Sequence, residues 1–164
     1  MTGPASVPVK KILIARFDTP NGASGGLERL KGGGARLGNA AVITREADGR
    51  VAFNETQDWG IGKSAAVGAL AAIILPGIGP IVGAAAGALA AYLIDAGFPD
   101  ALLKQLGTGL TEGSSMLVVL VQESDVGIAE QVISDAGGLV LGSGLEADLA
   151  AAMDKVRQAG TAGA

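Results

Sequence analysis

Between Ser64 and Ile94 the chain reads SAAVGALAAIILPGIGPIVGAAAGALAAYLI, 31 residues without a charge, flanked by Lys63 and Asp95. As one straight helix this run would measure about 46 Å at 1.5 Å per residue. Pro76-Gly77-Ile78-Gly79-Pro80 forbids that, because proline removes a helical hydrogen bond and clashes with the preceding turn. The reading is therefore two helices, near 64–75 and 80–94, folded back on each other. Each arm is roughly 18–22 Å long, short of a bilayer core of about 30 Å.

The small residues of this run are in register. Gly79, Gly83, Gly87 and Ala91 recur every four positions, and Ser64, Gly68 and Ala72 do the same on the first arm. Such spacing lines them along one helix face. A face without side chains lets another backbone approach closely, the small-xxx-small mode of helix association. Glycine within a helix costs about 1 kcal/mol against alanine, so the repeat needs compensation from packing. Ile81, Leu89 and Leu93 form a further apolar surface beside it. The expected oligomerisation residues are thus Gly68, Ala72, Gly79, Gly83, Gly87, Ala91, Ile81, Leu89 and Leu93. Lipid competes weakly for this segment. Its 11 Leu, Ile and Val residues supply roughly −5 kcal/mol at about −0.5 kcal/mol each, and Gly and Pro erode that.

Outward from the segment, the chain alternates strand and helix signals. Val9 to Phe17 (VKKILIARF) reads as a strand with Ile12 and Ile14 on one face, and Asp18 to Gly22 as turn chemistry. A short helix carries Leu27 and Leu30 and stops at Gly32-Gly33-Gly34. Ala40 to Arg45 and Arg50 to Glu55 read as a hairpin around Asp48-Gly49. Beyond the segment, Pro99 to Leu106 reads as a short amphipathic helix. Met116 to Val121 (MLVVLV) has the continuous apolar character of a strand buried on both faces. Ser124 is placed to cap a helix bearing Ile128, Val132 and Ile133, which ends at Gly137-Gly138. Leu139 to Leu141 reads as a short strand. Ser143 and Glu146 match a capping box for a last helix, striped with Leu145, Leu149, Met153 and Val156.

The predicted fold class is α+β, a ferredoxin-like two-layer sandwich with an inserted Gly/Ala-rich helical hairpin. Residues 9–56 and 98–159 form the sandwich body, 60–96 the glycine-zipper hairpin, and 1–8 and 160–164 flexible tails.

Composition narrows the chemistry. Aromatic residues are 3% and Gly occupies 27 of 164 positions, so core density has to come from small residues packed closely. Neither Cys nor His is present, which removes thiol catalysis, thiolate metal sites and the commonest general base. The reading is of a protein that is not an enzyme, with no catalytic residues, metal or cofactor. Net charge is −4, yet residues 1–63 hold nine Lys/Arg against six Asp/Glu, while 64–164 hold three against ten. Such polarity reads first as solvated charge with no partner, and second as head-to-tail contacts between copies or a basic face near anionic lipid. No basic cluster with interleaved aromatics exists, so nucleic acid is not an expected partner. Met1 to Pro8 lacks the charged start and apolar run of a secretory signal, and the expected location is the cytoplasm or the inner face of its membrane.

Gly60-Ile61-Gly62-Lys63-Ser64 follows a strand and opens a helix, where a phosphate-binding loop belongs. The full pattern needs Gly five residues before Gly62, and Gln57 stands there, so Lys63-Ser64 reads as a helix start. The carboxylate pairs Asp95/Asp100 and Glu123/Asp125 lie at helix boundaries and read as caps. Trp59 and Tyr92, at the root of the hairpin and near its end, fit a membrane interface or ordinary burial.

The run Thr56-Gln57-Asp58, the Gly-rich hairpin, Asp95-Ala96-Gly97-Phe98 and Leu106 to Val121 (LGTGLTEGSSMLVVLV) resemble the prokaryotic domain of unknown function 1269 family, often labelled as membrane proteins. The resemblance spans about residues 9–142 and is strongest from Thr56 to Val121. It implies a glycine-zipper hairpin on a small α+β domain, and no activity, cofactor or catalytic residue. Three roles follow from the residues: a self-associating structural protein whose hairpins form the seam of a homo-oligomer, a membrane-inserted or membrane-associated small protein, and a small-molecule sensor with its ligand between copies. The first is preferred. No polar pocket or small-molecule substrate can be assigned from the sequence.

Overall fold

The computed structural model describes residues 9–56, 61, 64, 67, 111–151 and 154. Its elements are β1 (Lys10–Phe17), α1 (Gly22–Lys31), β2 (Leu37–Arg45), β3 (Val51–Glu55), β4 (Ser114–Gln122), α2 (Val126–Asp135) and β5 (Leu139–Leu145). A 3-10 turn, Glu123–Asp125, joins β4 to α2, and helix resumes over 146–151. This is a mixed α/β fold built on one five-stranded antiparallel sheet of order β3-β2-β4-β1-β5.

The apolar runs account for the order. Strands bearing apolar residues on both sides need cover on both sides, and β1 and β4 sit at the centre. Leu13, Ala15 and Phe17 of β1, Leu117, Val119 and Val121 of β4, and Ala40 and Val42 of β2 share one core with Leu27 and Leu30 of α1 and Ala129 and Ile133 of α2. On the opposite side Ile12, Ile14, Ile43, Met116, Val118 and Leu120 are equally sealed from solvent. A fully buried side chain of this size contributes about 1.5–3 kcal/mol, so each face matters to stability.

Phe17 holds the first face together by an unusual route. Its ring lies against Gly26 of α1 and Gly138, the residue before β5. A methyl group at Gly26 would stand 2.6 Å from Phe17 Cζ, and one at Gly138 2.6 Å from the same atom. Backbone thus packs directly on an aromatic face, the small-residue density that the composition demands.

The β2–β3 hairpin closes at Asp48-Gly49 as its dipeptide predicts: Gly49 adopts φ 90°, and Glu46 N–H donates to the Arg50 carbonyl at 2.8 Å. The helix ending at Gly32 and the doubly buried Met116–Val121 run are likewise observed. Three local expectations are overturned. Ser124 does not cap α2; the chain passes through the 3-10 turn first, and the Ser124 hydroxyl instead accepts from Arg36 Nη2 at 3.1 Å. Asp125 occupies the N-cap position without a side-chain cap bond. The Ser143–Glu146 capping box does not form, because β5 continues to Leu145, with Ser143 opposite Leu13 and Leu145 opposite Lys11. Pairing with a central strand outweighs a local cap. Leu145 therefore leaves the predicted helical stripe, of which Leu149 is buried; Met153 and Val156 lie outside the described residues, as do Asp95, Asp100, Trp59, Tyr92 and the predicted helix at Pro99 to Leu106.

Asp125 ties two connections together instead. Its Oδ2 accepts from both Arg36 N and Arg36 Nε at 2.9 Å. The hydrogen bonds from the Arg36 side chain, then from its backbone, hold the Asp125 carboxyl below the usual carboxylate range. A carboxyl depressed in the folded state adds stability above its unfolded pKa and loses it as pH falls through the folded one. Asp125→Asn is therefore expected to lower the melting temperature by a constant amount above about pH 5. The gap to wild type should then close as pH drops below about 4, read by thermal melts across that range.

Candidate functional site

All nine residues expected to mediate association, Gly68, Ala72, Gly79, Ile81, Gly83, Gly87, Leu89, Ala91 and Leu93, lie outside the described residues. What the structure describes is the root from which their segment departs. Beyond β3, Thr56 N–H donates to the Ala40 carbonyl at 2.7 Å, and Thr56 Oγ1 accepts from Ala40 N–H at 3.0 Å. Ile61 N–H then reaches the Leu37 carbonyl at 3.4 Å, while its own carbonyl accepts from Lys10 Nζ at 3.2 Å. Ile61 therefore lies at the end of β2 where β1 begins.

The anchor is Asn39. The β2–β4 register slips between Leu37 and Ala40, and this bulge brings Asn39 into a fully buried position. Its Oδ1 accepts from Ser64 N–H at 2.8 Å, and its Nδ2 donates to Glu55 Oε1 at 3.5 Å. Ser64 is itself buried, and its hydroxyl donates to Glu146 Oε2 at 3.3 Å. The Ser64 carbonyl accepts from Val67 N–H at 3.3 Å, and Val67 is helical and without exposure. One amide thus joins the end of β3, the start of the charge-free segment and, through Ser64, the helix at 146–151.

Asn39→Ala would remove from a fully buried position both the oxygen that accepts from Ser64 N–H and the amide that donates to Glu55. A lost partner of this kind costs about 1–3 kcal/mol, and urea unfolding of the variant should show it.

Sequence reasoning missed Asn39, since the second strand was expected to start at Ala40. The signal available was a single amide inside the run Leu37-Gly38-Asn39-Ala40-Ala41-Val42, polar where its neighbours are apolar. Of the loop Gly60-Ile61-Gly62-Lys63-Ser64, Gly60, Gly62 and Lys63 lie outside the described residues, and the Ser64 hydroxyl is engaged by a carboxylate. Glu123 lies 3.9 Å from Lys11 and Asp125 binds Arg36. Among the described residues no group of three or more acidic side chains could hold a metal ion, and no helix is long and apolar enough to cross a membrane.

The family model described as "Protein of unknown function (DUF1269)" matches residues 59–158. That range opens just after β3 and takes in the charge-free segment, β4, α2 and β5. No curated protein and no solved structure matches the chain.

Proposed function

Starting from a chain that belongs to the DUF1269 family, we propose that it is a self-associating structural protein. Its charge-free segment forms a glycine-zipper hairpin, and hairpins from several copies pack through the Gly79-Gly83-Gly87 face into a homo-oligomer. One observation carries this reading: a 31-residue run without charge begins at Ser64, which is pinned to the buried Asn39 of a folded sheet. Association hides the run without requiring lipid, and closed symmetry ends the growth.

The ferredoxin-like reading of the body rests on two β-α-β units, β1-α1-β2 and β4-α2-β5, whose strands interleave as β2-β4-β1-β5. β3 is then an added edge, and the segment between β3 and β4 an insertion. In this reading the protein works without catalysis or cofactor, on the cytoplasmic side of the membrane.

Light scattering of the intact protein without detergent tests the proposal. A defined mass of several chains is expected. A monomer, or protein recovered only with detergent, would reject it, the latter in favour of membrane insertion.

A further inference from the structure

Each of the five residues of β3 is exposed, including Val51 at 36% and Phe53 at 39%, and β3 borders the sheet. Its backbone alternates in direction. Thr56 N–H donates to the Ala40 carbonyl, and the Arg50 carbonyl accepts from Glu46 N–H. With a period of two, the even-numbered residues therefore face β2, and the N–H and C=O groups of Val51, Phe53 and Glu55 face the open edge. Edge strands are usually kept from pairing by proline, bulges or lysine, and β3 has none of these. The other edge differs, since β5 contains Gly142 and Gly144 and its register with β1 shifts between Ile14 and Ala15.

We propose that β3 pairs antiparallel with β3 of a second copy, about a two-fold axis through Phe53. This seam is separate from the hairpin contact and does not depend on it. Two identical antiparallel strands related by a two-fold must be centred on one residue, and the three outward residues are centred on Phe53. That single register satisfies all of them: Phe53 opposes its counterpart, and Val51 opposes Glu55 of the second copy. The facing side chains agree. Val51 and Phe53 share a face with Arg45 and Ile43, their partners on β2. The seam thus sets two phenylalanines side by side, an aromatic cross-strand pair. It also lines up Arg45, Val51 and Glu55 of the second copy in one row. Two strand spacings separate Arg45 from that carboxylate, about 10 Å between Cα atoms, a span two long side chains can bridge. No like charges oppose each other.

The full chain has no cysteine, so Phe53→Cys supplies one thiol per copy at the axis. Opposed residues of a hydrogen-bonded pair lie about 5.5 Å apart, within disulfide reach. Mild oxidation should convert most of this variant to a covalent dimer on a non-reducing gel, while Glu130→Cys on α2 stays largely monomeric. The cross-link should persist when Gly83→Leu and Gly87→Leu are added, which separates this seam from the hairpin contact. Phe53→Lys, which sets two ammonium groups together at the axis, should lower the particle mass at least twofold with unchanged circular dichroism. Cross-linking of Phe53→Cys no greater than that of Glu130→Cys, or a wild-type mass for Phe53→Lys, would overturn the proposal.

Discussion

Replacing Gly83 and Gly87 with leucine is expected to dismantle the assembly while the α/β body stays folded. Two leucines on a face of glycines hold the helix axes apart by the width of their side chains, which removes the close backbone approach that a small-residue interface depends on. The change adds apolar bulk and leaves helix propensity no worse, since leucine is the better helix former. Lost mass therefore reports lost contact between copies. Light scattering at equal concentration without detergent should show the mass falling by half or more, leaving nothing larger than the pair of chains that β3 joins. Circular dichroism should retain the strand signal. An unchanged mass would mean that the Gly79-Gly83-Gly87 face packs within one chain.

A second large effect is expected at Phe17, and it reverses the ordinary rule for glycine in helices. Phe17→Ala should cost about 3–5 kcal/mol, the usual range for a buried ring and a large share of the 5–15 kcal/mol that holds a domain together. Gly25 and Gly26 are neighbours in α1, and elsewhere either would gain roughly 0.5–1 kcal/mol on becoming alanine. A methyl group at Gly25 meets nothing within 4 Å, so Gly25→Ala should stabilise by about that amount. At Gly26 it would strike the Phe17 ring at 2.6 Å, and overpacking of this kind costs about 1–3 kcal/mol. Adjacent glycines should therefore shift the urea midpoint in opposite directions. Phe17→Leu combined with Gly26→Ala should lose less than the two single changes together. Equal gains at both glycines would refute the close contact.

The pattern of residues made much of this fold legible. The continuous apolar run at Met116–Val121 marks a strand covered on both sides, because burial there is written into every residue rather than alternate ones. Val9 to Phe17 is legible as a strand by its Ile12/Ile14 face alone, whereas Leu13 and Ala15 are buried on the other face as well. Asp48-Gly49 and Gly32-Gly33-Gly34 mark a turn and a helix end through backbone geometry that few other residues tolerate. The failures share a cause. Ser124, and Ser143 with Glu146, were suited to local capping, but the chain's partners there are distant: Arg36 for Ser124, Leu13 for Ser143, Ser64 for Glu146. The glycine cradle of Phe17 and the Asn39 anchor are likewise products of tertiary contact, since each joins residues far apart in sequence. No local rule distinguishes Gly25 from Gly26.

The central strand pair, β1 with β4, matches Lys10–Phe17 to Ser115–Gln122, residues made about a hundred positions apart. At roughly 5–20 residues per second, a ribosome needs about 5–20 s to cover that distance. During this interval α1, β2 and β3 are finished but have no middle strand to join. The charge-free run is also complete before β4 exists. Neighbouring nascent chains thus present this charge-free run to one another before either sheet can close. Folding of the whole molecule waits on its C-terminal third, and faster synthesis or crowded polysomes should lower the yield of soluble protein.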